Sequence, residues 1–144
     1  MNINIKLISQ FLSKAVKVRR LIEQSGSFED SAATLLQIEA LKYLQANSDS
    51  TVGSLARELA MSLSSTTQLT NRLVDKGWIS RETNQNDRRV IGLSLAKLGE
   101  EQIKVFMKQM FSSHFKVLAN VPESDLKEMI RIFGNIADSQ KGVK

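Results

Sequence analysis

Between Thr51 and Leu95 the spacing of apolar residues changes once, from a helical period to an alternating one, and the change falls on Gly77. Upstream, Leu55, Ala56 and Leu59 lie on one side of a predicted short helix over 52–59. After a brief gap Leu69 and Leu73, with Val74 beside them, do the same over 63–76. Thr51 and Ser62 are good N-caps for these two helices, and Gly77 stops the second as a C′ glycine. Downstream, 78–83 and 90–95 read as two strands, and the polar run 84–89 makes them a hairpin with a projecting loop. Helix, tight turn, helix, glycine, strand, basic loop, strand is a narrow specification. It predicts a mainly α fold with a small β-hairpin wing.

The flanks are helical. Over 3–23, Ile5, Ile8, Leu12, Ala15 and Ile22 form one apolar row and Leu7, Phe11, Val18 and Leu21 a second, before the turn-like Ser25, Gly26 and Ser27. A helix begins near Thr34, where Thr34 and Gln37 fit a capping box, and Leu36, Ala40, Leu41 and Leu44 are its expected buried face. Residues 47–50 read as a polar loop. A long stripe then runs through Leu95, Leu98, Ile103, Phe106, Met107, Met110, Phe111, Phe115 and Leu118. After Pro122 a last helix opens with Glu123, Ser124 and Asp125 at its positive end. The expected division is a winged helix-turn-helix domain over 34–96 and a helical dimerisation region over 1–33 and 97–144. Ile5, Ile8, Phe11, Leu12 and Ile22, with Met129, Ile130, Phe133 and Ile136, exceed what a lone winged helix covers. A homodimer interface is the expected use of that surface.

The second short helix opens with Ser62, Ser64, Ser65, Thr66, Thr67 and Gln68, residues that helix propensity alone would not choose. Small hydroxyls there can cap, donate to phosphate oxygens or touch base edges, and Gln pairs bidentately with adenine. Arg72 lies one turn further along. One such Ser is more often a simple helix-start residue; a run of six ahead of a buried face points to a helix read by the major groove of double-stranded DNA. From Arg72 to Arg89, the basic residues Arg72, Lys76, Arg81, Arg88 and Arg89 are set against Asp75, Glu82 and Asp87, so placement decides more than charge count. Arg88 and Arg89 sit at the loop tip, where Asp87 is placed to hold one of them. An arginine held so suits a narrow minor groove, although an Arg pair taken alone is more often a solvated turn. The whole chain carries 20 Lys+Arg against 15 Asp+Glu, a formal net charge of +5 that favours polyanions.

Other functions find little support. With no cysteine there is no disulfide framework, thiolate metal site or thiol switch, and the single histidine, His114, lies among Phe and Met where packing is the usual role. No phosphate-cradling glycine loop or paired histidine spacing occurs, so no enzyme, metal or cofactor is expected. The first ten residues mix polar and apolar side chains, no run of apolar residues is long enough to span a bilayer, and a cytoplasmic location is expected. The rival from another class is a winged helix used as a protein–protein module, which would need neither the Ser/Thr-rich helix nor the arginine tip.

Several stretches fall in a recognisable order and spacing. Leu55 to Leu59, Ser62 to Thr67, Leu69 with Arg72 and Leu73, Lys76 to Ile79, and Asp87 to Arg89 followed by Leu93 to Leu95 and Gly99 resemble the winged helix of the MarR/SlyA family. The likeness is strong from about Thr34 to Gly99, and the flanking helices agree in length and pattern. It implies a homodimeric transcriptional regulator that binds a pseudo-palindromic operator, usually as a repressor, and that a small aromatic or anionic effector releases. Three positions depart from the family pattern: Gln68 stands where Arg is frequent, Ala96 where a Thr commonly caps the next helix, and Trp78 where an aliphatic residue is usual. Core filling is the expected role of Trp78.

Overall fold

The computed structural model describes residues 4–25, 33–83, 87, 89–110 and 117–139. Among them are α1 (Ile5–Ser25), α2 (Leu35–Ala46), β1 (Ser50–Thr51), α3 (Val52–Glu58), α4 (Leu63–Asp75), β2 (Ile79–Thr83), β3 (Ile91–Leu95), α5 (Lys97–Gln109) and α6 (Glu123–Ser139). The chain divides into two compact units, one of Met1–Asp30 with Gln109–Lys144 and one of Ser31–Lys108. None of the described helices is long and apolar enough to cross a membrane.

Hydroxyl side chains set where the central helices begin. Thr34 Oγ1 accepts the Gln37 N–H (3.3 Å) while Gln37 Oε1 accepts the Thr34 N–H (3.1 Å), the capping box legible in the sequence. Thr51 and Ser54 repeat the arrangement at α3, with bonds of 3.1 and 2.9 Å, and Ser62 Oγ accepts the Ser65 N–H at α4 (3.1 Å).

The ends of α3 and α4 share a second device. Past α4, Gly77 takes φ +69° and donates to Val74 O, and Trp78 N–H donates to Leu73 O, which is a Schellman motif. Past α3, Ala60 N–H donates to Arg57 O and Met61 N–H to Ala56 O in the same pattern. There the left-handed position, φ 51°, is filled by alanine, whose Cβ makes that conformation costly. This reversal makes the turn between α3 and α4 tight.

The unit's core is built from Ile38, Leu41, Leu44, Leu55, Leu69, Leu73, Trp78, Ile79 and Leu93. Trp78 fills core, as expected. Its carbonyl accepts the Ala96 N–H (3.0 Å), and Gly99 packs so closely that a Cβ there would overlap that same carbonyl oxygen. The sheet is antiparallel in the order β1-β3-β2, with Ile79 opposite Leu95, Thr83 opposite Ile91, and Ser50 opposite Leu93.

Several expectations are corrected. The strands of the hairpin are each one residue shorter than 78–83 and 90–95. The loop read over 47–50 ends in a strand: Ser50, buried, pairs with β3 and donates its hydroxyl to Asn47 O. Leu36 and Leu98 are exposed, and Ile38 takes the place expected of Leu36. The compact unit that holds the winged helix, Ser31–Lys108, also takes in α5, whose Gly99, Ile103 and Phe106 are buried. The expected turn at Gly26, and Phe111, His114 and Phe115, lie outside the described residues.

In the other unit, the Phe11 and Phe133 rings lie 6.3 Å apart, tilted by 46°. On α6, Arg131 makes two hydrogen bonds to Glu128, which hold the Glu128 carboxyl below its ordinary range and raise the guanidinium. No α6 residue is buried, and Ile5 (77% exposed), Ile8, Phe11, Leu12, Met129, Ile130 (72%), Phe133 and Ile136 are open in the single chain, with Ile22 half-buried.

The two Schellman ends predict substitutions of opposite sign. Ala60→Gly relieves the left-handed alanine and should raise stability by up to about 1 kcal/mol, whereas Gly77→Ala should lower it by about 1–2 kcal/mol. Urea unfolding of both variants checks this; equal signs would refute it.

Candidate nucleic-acid interface

Helix α4 is divided lengthwise by what its residues must do for the fold. Thr66, Leu69, Thr70 and Leu73 are buried, at helical spacing, and form the face turned to the core. Ser64, Thr67, Gln68, Asn71 and Arg72 are exposed on the remaining circumference. The polar run that singled out this helix therefore contains residues of different kinds.

Ser62 is structural at the helix start: it accepts the Ser65 N–H and donates its own hydroxyl to Ser65 Oγ (2.8 Å). Thr66 was expected to face DNA and does not. It has no exposed surface, and its hydroxyl donates to Ser62 O (2.8 Å) one turn back, which is how a buried hydroxyl avoids an unmet donor. Thr67 donates likewise to Leu63 O (2.8 Å) but from an exposed position. Ser64 and Gln68 stand one turn apart on the exposed side. Asn71, three residues beyond Gln68, shares that side and was missed by the sequence reading. Its signal was the helical spacing from Ser64 and Gln68, which a wheel projection of 63–76 contains.

Arg81, expected at the wing, lies in the hairpin, but its side chain turns to α4 and not to the loop tip. It lies in β2, where one guanidinium nitrogen, Nη2, donates to Thr70 Oγ1 (3.0 Å) and to Asn71 Oδ1 (2.6 Å). Thr70 passes its own proton to Thr67 O (2.9 Å). The strand is thus pinned to α4 through side chains 10 and 11 residues distant in sequence.

At the wing, Asp87 holds no arginine side chain among the described residues. Its carboxylate accepts the backbone N–H of Arg89 (3.0 Å) and its carbonyl accepts the Val90 N–H (3.0 Å), so it shapes the turn back into β3. Arg89 is exposed; Arg88 lies outside the described residues. Below the hairpin, the Lys76 ammonium sits 4.2 Å from the centre of the Trp78 ring and 3.4 Å from Gln37 Oε1.

An exposed polar stripe on a short helix, set across a preceding helix by a tight turn and flanked by a hairpin with an arginine beyond its turn, has the form of a double-stranded DNA reader. Comparison with known proteins agrees. Residues 33–91 match the family model for the MarR family. The uncharacterised HTH-type transcriptional regulator YpoP of Bacillus subtilis is 28% identical over 96 residues, which span 67% of this chain and 68% of that protein. Among solved structures, the transcriptional repressor CouR bound to a 23-mer DNA duplex superposes with a TM-score of 0.75 at 19% identity, covering 95% of this chain and 99% of that one. Bordetella bronchiseptica BpsR, whose DNA binding is regulated by 6-hydroxynicotinic acid, superposes with a TM-score of 0.74 at 14% identity, covering 91% and 93%.

The two kinds of serine on α4 separate in a stability measurement. Ser62→Ala removes the N-cap and should cost about 1 kcal/mol. Ser64→Ala changes an exposed residue without that duty and should stay within about 0.5 kcal/mol of the unaltered chain. Equal losses in urea unfolding would show that the division of α4 is misdrawn.

Proposed function

The chain belongs to the MarR family of transcriptional regulators, and we propose that it acts as a homodimeric repressor that reads a pseudo-palindromic operator in double-stranded DNA. The observation that carries this reading is the lengthwise division of α4. Its buried row fixes the helix to the core, which leaves Ser64, Thr67, Gln68, Asn71 and Arg72 as an uncharged stripe with one cation, suited to base edges and phosphates. Arg89, exposed beside the turn that Asp87 orders, supplies charge at the wing. It reads groove potential or phosphate rather than base identity. Ser62, Thr66 and Arg81 serve by shaping α4, and Arg88 joins Arg89 at the tip by its place in the sequence.

Dimerisation is supported by the uncovered apolar faces of α1 and α6. Side chains such as Ile5, Ile130 and Phe133 are open in the single chain, an arrangement that a second copy would relieve. A two-fold dimer places each α4 in its own major groove when half-sites lie about one helical turn apart, roughly 34–36 Å. Repression is supported by the likeness to CouR. Release by a small aromatic anion is supported by the likeness to BpsR. A cytoplasmic place of action is supported by the likeness to the transcriptional regulators of Bacillus subtilis.

Arg89→Ala should fold and dimerise normally, weaken binding on operator and random duplex alike, and lower the slope of log K against log salt by about one unit. Gln68→Ala should cost about 1–3 kcal/mol on the selected operator and little on random duplex. Fluorescence anisotropy over a salt series, with a thermal melt of each variant, measures both. An Arg89→Ala variant that binds like the unaltered protein removes the wing from the interface.

Ile130→Glu tests the dimer. The side chain is open in the single chain, so the charge should leave the fold intact while producing monomers at micromolar concentration by light scattering. The advantage of a full site over a half-site should disappear with it. An Ile130→Glu protein that remains dimeric would place the interface elsewhere.

A further inference from the structure

The bond from Arg81 to Asn71 has a chemical consequence for recognition. A guanidinium donates and never accepts, so the atom of the Asn71 amide that faces it must be the carbonyl oxygen, and the orientation of the amide follows from chemistry alone. Nη2 carries two N–H groups, and both are used on α4, one at Thr70 Oγ1 (3.0 Å) and one at Asn71 Oδ1 (2.6 Å). Thr70 is fully buried and its hydroxyl proton is committed to Thr67 O, so Thr70 is a fixed anchor for the guanidinium rather than a mobile partner. Asn71 is exposed, on the side of α4 that carries Ser64 and Gln68.

An unrestrained Asn matches adenine, because its oxygen takes the N6 proton while its NH2 group donates to N7. At Asn71 the oxygen already accepts a charged donor, and the guanidinium sets positive potential beside it, which disfavours a second donor such as adenine N6 or cytosine N4. What remains on offer is the NH2 donor. Guanine alone presents two acceptors, O6 and N7, and no donor on its major-groove edge.

We propose that Arg81 is a positioning residue that fixes Asn71 as a donor, so that α4 selects guanine over adenine at one base pair of each half-site. This rests on the DNA-binding reading above and names a specificity determinant within it. Gln68 has no such restraint among the bonds described and keeps both halves of its amide for reading.

The test is selection of bound fragments from random duplex by the full-length protein and by two variants. The unaltered chain should enrich guanine at one symmetric pair. Asn71→Asp keeps an acceptor for Arg81 but has no donor, and should lose guanine there in favour of cytosine. Arg81→Met frees the amide and should move the same pair toward adenine while other positions stay as they were. Replacing that guanine by 7-deazaguanine should weaken the unaltered protein about tenfold and Asn71→Asp hardly at all. A thermal melt accompanies each variant; if Arg81→Met does not fold, Asn71→Asp, altered at an exposed position, still decides. Identical base preferences in all three proteins, or a loss of affinity in Arg81→Met that is even across sequences, would overturn the proposal while leaving DNA binding intact. If the unaltered chain enriches no sequence at all, the DNA-binding reading falls and this inference with it.

Discussion

The backbone of Trp78 joins the parts of the winged helix. Its N–H closes α4 by bonding Leu73 O, after Gly77 has turned the chain at φ +69°. Its carbonyl accepts the Ala96 N–H, which ties the root of β2 to the start of α5, and Gly99 lies against that carbonyl with no room for a side chain. Its ring is buried in the core. The end of the reading helix, the root of the hairpin and the first turn of α5 therefore meet at one residue. Displacing any of them strains the others, which is why the direction of the wing relative to α4 is a property of the fold and not of a flexible linker.

That rigidity costs hydrogen-bonding groups on α4, and the sequence meets the need with threonine. Thr66 and Thr70 sit in the buried row, where valine would also fit by volume. Their hydroxyls bond backward to Ser62 O and Thr67 O, so neither leaves a buried donor unmet. Thr70 gains a further role by accepting from Arg81, which a valine could not do. A Ser/Thr-rich helix start is thus only in part a ligand-binding feature. Half of its polarity is internal, and the exposed stripe is what remains.

Which features were legible in the sequence follows from the range of the interaction. The caps at Thr34, Thr51 and Ser62 and the glycine at 77 involve neighbours within one turn, so residue type and spacing were sufficient. The bond from Arg81 to α4 joins residues 10 and 11 apart, and no local pattern encodes it. β1 is only two residues long, below what an alternating period can register. Leu36 and Leu98 kept helical spacing and are nevertheless exposed, because periodicity identifies an apolar face without saying what covers it. The alanine in the turn between α3 and α4 was invisible for the opposite reason: the position calls for glycine, and the chain accepts the strain.

A regulator of this kind must separate holding DNA from recognising it, and the fold does so by assigning the two tasks to elements with different freedom. Arg89 follows a turn fixed by Asp87 through backbone bonds alone, so its side chain is uncommitted by that turn and can follow the potential of whatever groove it meets. The residues on α4 have less latitude: the helix is anchored along its buried row, and Asn71 is oriented by a strand. Charge that adapts contributes affinity on many sequences, whereas dipoles held in place discriminate, because a wrong base leaves them unpaired. The placement of charge toward the wing and of oriented, uncharged groups on α4 therefore accounts for a chain whose net charge of +5 says little about which sequence it reads.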